Sequence, residues 1–61
     1  MEFLVRQYVS NRDKTNTRVY TIEDAVKILK KELTEVETVI SWSNYVDLYF
    51  KGTNNYIRII N

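Results

Sequence analysis

The chain has no cysteine and no histidine. The imidazole bases, thiolate nucleophiles and common transition-metal ligands are therefore all missing. The lack of cysteine also removes a disulfide framework, which is compatible with a reducing compartment. The lone glycine, Gly52, cannot build the glycine-rich loops that cradle phosphates. No apolar run approaches the roughly 20 residues that cross a bilayer. The start, Met1-Glu2-Phe3-Leu4-Val5-Arg6, lacks the regions of a signal peptide, so the expected location is the cytoplasm. A net charge of +1 is too small for a generic polyanion binder and unlike the strong negative charge of a DNA mimic. The carboxylates that remain read as structural. Glu32, Glu35 and Glu37 fall around a helix end as solvated charges, and Asp47 stands as an ion-pair partner for Arg6 or Arg58. Lys27, Lys30 and Lys31 are offset by Glu23, Asp24 and Glu32 and read as a solvated helix face. The expectation is a protein without catalytic residues, metal site or cofactor.

What is present is an ordinary globular mixture, 44% apolar and 28% charged. Residues 1–61 are expected to form a single compact domain. A domain of this size buries only about 60% of the surface its unfolded chain exposes, and small chains commonly add a disulfide, a metal or a second subunit. With the first two unsupported, a homodimer is expected.

Glu2 to Ser10 alternates as a strand, with Phe3, Val5 and Val9 on one side and Leu4, Arg6 and Tyr8 on the other, and Gln7 as a polar exception on the apolar side. The turn formers from Asn11 to Asn16 return the chain as a short strand, Thr17 to Tyr20; pairing Val9 with Val19 places Tyr8 opposite Tyr20. Thr21 is a helix N-cap with Asp24 in the first turn. Ile22, Ala25, Val26, Leu29 and Leu33 keep helical spacing, with Ile28 widening the stripe. The helix is expected to end near Leu33 or Thr34. Val36 to Ile40 reads as a strand, and Tyr45 to Lys51 alternates cleanly, with Val46, Leu48 and Phe50 toward the core. A four-residue loop, Gly52-Thr53-Asn54-Asn55, pairs Lys51 with Tyr56 and Phe50 with Ile57. At Ser43-Asn44 a two-residue loop puts Trp42 beside Tyr45 outside, and a three-residue loop puts Trp42 inside, the arrangement favoured here. The fold class is α+β: a small antiparallel sheet of four to five strands with one amphipathic helix packed on one face, in the order β-β-α-β-β-β.

On these strands all five tyrosines and three of the four arginines share the face away from the helix. Its members are Arg6, Tyr8, Arg18, Tyr20, Tyr45, Tyr49, Lys51, Tyr56 and Arg58, together with Leu4, Asp47 and Ile60. Tyr and Arg dominate binding hot spots because each joins a large contact area to polar groups that survive desolvation. A small monomer with five tyrosines in water carries a patch of the kind that marks an interface. Protein binding is the expected use, with the arginines meeting carboxylates on the partner. The alternative is single-stranded nucleic acid, with bases stacked on tyrosines. Weak net charge and the absence of the glycine and aromatic signature of RNA-binding sheets favour protein. Tyr56 to Ile60, apolar on both sides and free of proline, reads as an edge strand able to pair with a second copy.

In length and composition, with many Asn, Lys, Ile, Tyr and Thr residues and no Cys, His or Pro, the chain resembles the small proteins that bacteriophages use to inhibit host machinery. These include anti-defence proteins of the anti-CRISPR and Hachiman types. The resemblance implies a homodimeric inhibitor that blocks a host or defence protein in the bacterial cytoplasm, and it assigns no residue.

Overall fold

In the computed structural model, which describes residues 1–10 and 12–61, the segments of clean alternation are strands. The order is β1 (Glu2–Tyr8), β2 (Lys14–Val19), α1 (Ile22–Leu29), a 3-10 turn at Leu33–Glu35, β3 (Val36–Ser41), β4 (Tyr45–Phe50) and β5 (Tyr56–Ile60). The five strands form one antiparallel sheet in the order β2-β1-β5-β4-β3. The single helix packs on one face, over β1 and β2, and the expected α+β class is the one observed. Among the described residues no helix is long and apolar enough to cross a membrane.

Phe3, Val5, Ala25, Leu29, Phe50 and Ile57 are buried between helix and sheet. Gln7 lies on this apolar side because its amide donates to the Ile28 carbonyl at 3.5 Å, supplying a partner near the end of α1. Thr21 caps the helix as expected, its hydroxyl accepting from the Asp24 N–H at 3.2 Å.

Four expectations are corrected. The helix stops at Leu29, because Lys30 turns into the left-handed region at φ 55°. The Lys30 and Lys31 N–H groups then close back on the Lys27 and Val26 carbonyls, both at 3.1 Å. Leu33 is left exposed as a result. Second, β2 begins at Lys14, so polar residues expected in the turn belong to an exposed edge strand, and Tyr8 faces Lys14 instead of Tyr20. Asn11, expected in that turn, lies outside the described residues. Third, β5 is the central strand, paired with β1 and β4. Flanked by strands on both sides, it buries Ile57 toward the helix and Tyr56 among its neighbours on the other face. Fourth, Tyr49 faces Tyr56 in the β4–β5 hairpin, where Lys51 was expected. Gly52 takes φ 78° in the wider loop that results.

Both of these register differences are by an even number of residues, so β1, β2, β4 and β5 keep their expected faces.

Lys30 pays the steric penalty of a left-handed residue with a Cβ. Lys30→Gly is expected to raise unfolding free energy by ~1 kcal/mol, read from the urea midpoint at constant slope. A lower midpoint would show that the helix end is not held by this geometry.

Candidate functional site: the open face of the sheet

With one helix on the other side, one face of the sheet is open, and strand register arranges its side chains in cross-strand rows. Asn16, Arg6, Tyr56, Tyr49 and Thr38 form one row, and Arg18, Leu4, Arg58, Asp47 and Ile40 the next. Glu2, Ile60 and Tyr45 form a third, extended by Trp42, whose N–H donates to the Tyr45 carbonyl at 2.8 Å. An ion pair in the middle row is thus walled by aromatics above and below.

Trp42 is on this face, which corrects the expectation that it turns inward. The two-residue Ser43-Asn44 loop keeps it in register with Tyr45, with ring centroids 5.9 Å apart. Its indole Nε1 donates to Asp47 Oδ2 at 3.2 Å, giving the ring a polar reason to face outward.

Arg58 Nε and Nη2 donate to Asp47 Oδ1 and Oδ2 at 2.8 and 3.0 Å, a bidentate pair across β4 and β5. The guanidinium also lies 3.8 Å from the Tyr45 ring centroid and 5.7 Å from that of Tyr56. Tyr49 and Tyr56 pack on each other at 4.8 Å. Asp47 is only 1% exposed and Tyr56 only 6%. Among the described residues no buried side-chain nitrogen or oxygen lacks a hydrogen-bond partner. The Asp47 hydrogen bonds hold Arg58 above its ordinary pKa, against the opposing effect of burial. Burial, then the Asp47 charge, raises the Tyr49 hydroxyl.

The structure therefore divides the expected site residues. Tyr45, Tyr49, Tyr56 and Arg58 make a satisfied centre, and Arg58 already holds a carboxylate of its own chain. Arg6 joins it from β1, hydrogen-bonded to Asn16 at 2.9 Å and 5.8 Å from the Tyr56 centroid. Arg18 lies at the β2 edge, 3.6 Å from Glu2. Tyr20, just past β2, is exposed beside Glu2 and Ile60, and Tyr8 is exposed with the Lys14 ammonium 5.5 Å from its ring centroid. Lys51 lies beyond β4 in the turn, where its N–H donates to the Glu35 carbonyl at 2.9 Å. Sequence reasoning missed Glu2, Lys14, Asn16, Thr38, Ile40 and Trp42 as members of the face. For β3 and Trp42 the signal was the loop length at Ser43-Asn44.

The face is electrostatically uneven. Among the described residues Arg6 and Lys14 have no carboxylate within ion-pair distance, so the end near Tyr8 carries free positive charge. The opposite end, with Tyr20, Tyr45 and Trp42, is aromatic. Comparison with protein-family models, with curated proteins and with solved structures finds no match to this chain.

Arg58→Met leaves Asp47 buried without its cation and is expected to cost ~3–5 kcal/mol at neutral pH. Asp47→Asn leaves a guanidinium with access to water and is expected to cost less, ~1–2 kcal/mol; equal costs in urea unfolding would contradict this asymmetry. The raised Tyr49 hydroxyl sets a second expectation. Stability from a group with a raised folded pKa is fully present below its unfolded value and lost as pH climbs through the folded one. As pH climbs above about 10, the ordinary tyrosine value, the wild type should thus lose more stability than Tyr49→Phe.

Proposed function

We propose that the protein is a non-enzymatic binding module that acts stoichiometrically, as an inhibitor or regulator, on a host or defence protein, and that it works as a homodimer. The observation that carries this reading is the open sheet face itself. It has no helix over it, its aromatic centre is already rigid, and Tyr8, Tyr20 and Trp42 remain exposed around that centre. Rigid aromatic anchors cost little conformational entropy on binding, because the hydrogen bonds and stacking that fix them exist before the partner arrives. The matching partner surface presents carboxylates toward Arg6 and Lys14 and apolar groups toward Tyr20 and Trp42. The chain's likeness in length and composition to small phage inhibitors fits the same reading.

Single-stranded nucleic acid fits this arrangement less well. Base stacking needs free ring faces, whereas Tyr49 and Tyr56 cover each other and Arg58 covers Tyr45.

The test uses residues on the rim, since Arg58 also holds the fold. Tyr8→Ala with Tyr20→Ala is expected to weaken partner capture at least about tenfold while the circular dichroism spectrum and urea midpoint stay close to wild type. Undiminished capture would sink the face assignment. Fluorescence anisotropy with mixed-sequence single-stranded DNA and RNA separates the alternatives: micromolar binding that fades with salt and is lost in the double variant would establish nucleic acid as the ligand.

A further inference from the structure

The sheet has two edges, and they differ in kind. At the β2 edge the sequence Lys14-Thr15-Asn16-Thr17-Arg18-Val19 is polar except for its last residue, a composition that discourages pairing with another chain. At the β3 edge the sequence is Val36-Glu37-Thr38-Val39-Ile40-Ser41. Eight large hydrophobic residues are exposed among those described, and four of them, Leu33, Val39, Ile40 and Trp42, lie on this strand or beside it. Val39 is 56% exposed and Trp42 54%. The irregularity between Val36 and Thr38 disturbs only the start of the strand and leaves Thr38 to Ser41 in regular register.

The backbone at this edge is ready to pair. The Trp42 N–H is bonded to Tyr45, so by antiparallel alternation Ile40 and Thr38, opposite Asp47 and Tyr49, also direct their main-chain groups at β4. Val39 and Ser41 direct theirs outward.

We propose that the β3 edge pairs antiparallel with the β3 edge of a second copy, about a two-fold axis at Val39, to make one continuous sheet. This deepens the two-subunit part of the functional reading and rests on the edge, independently of what the open face captures. The strand is self-complementary in this register. Val39 meets its own counterpart, Thr38 meets Ile40 of the second copy, and Glu37, the one charged residue of β3, meets Ser41 and not another Glu37. No like charges face each other, and the apolar groups beside the edge leave water in both copies. A second copy also enlarges the core of a chain of 61 residues, whose own burial is limited by its size.

Sedimentation velocity on the full chain, from low to high micromolar concentration, tests the arrangement together with two charge variants. The wild type is expected at twice the chain mass of 7.3 kDa. Val39→Lys and Val39→Glu each place like charges face to face at the axis and should weaken dimerisation about tenfold or more. An equimolar mixture of the two should recover the dimer, because opposite charges then meet. Circular dichroism and urea unfolding verify that each variant is folded, which the exposure of Val39 favours. A wild type that stays monomeric throughout, a Val39→Lys variant as dimeric as wild type, or a mixture that stays monomeric would each overturn the proposal. A dimer that forms normally but captures no partner would instead remove the open-face reading and leave the edge intact.

Discussion

The open face depends on the pair between Asp47 and Arg58. A carboxylate that is 1% exposed is costly to bury unless its oxygens are matched. Here both oxygens accept from Arg58, and Oδ2 also accepts from Trp42. The aromatics follow from that requirement. Tyr45 covers the guanidinium, while Tyr49 and Tyr56 close the opposite side, and together they shield the Asp47 carboxylate while Arg58 stays partly open to water. One helix of eight residues cannot cover both sides of five strands. The side without a helix is held by a polar and aromatic layer in place of an apolar core.

That layer explains which parts of the site were legible in the sequence. Membership of a sheet face depends only on parity along each strand, and parity survived both register differences. The tyrosines and arginines therefore fell on one side even though Tyr8 faces Lys14 and Tyr49 faces Tyr56. Register itself depends on loop conformation, which composition constrains weakly. Strand order was less legible still. The two-sided apolar character of Tyr56 to Ile60 is shared by a central strand and an unprotected edge, and only long-range pairing with β1 distinguishes them. The early end of α1 was hidden because Lys30 occupies a backbone region that normally announces itself with glycine. Trp42 turned on one residue of loop length, since one residue moves a strand's side chains to the other face. Asp47 was visible as a partner for arginine, but its burial was not, because burial comes from rings on two neighbouring strands.

The same geometry links the two proposed surfaces. Trp42 closes the aromatic row over Asp47 and also stands at the end of β3, so at this end the open face runs to the edge through Ile40 and Trp42. Ile40, opposite Asp47, likewise belongs both to the middle row and to the edge strand. Edge pairing about Val39 would therefore leave the outward side chains of β1, β2, β4 and β5 free and set two open faces side by side in one sheet. A partner engaged by both faces binds the second one intramolecularly, at an effective concentration set by the rigid sheet and without a flexible linker. In that arrangement modest contacts on each small face would suffice for a stable complex, because pairing at the apolar edge would duplicate the proposed binding face. The polar β2 edge remains as the boundary that keeps the sheet from growing further.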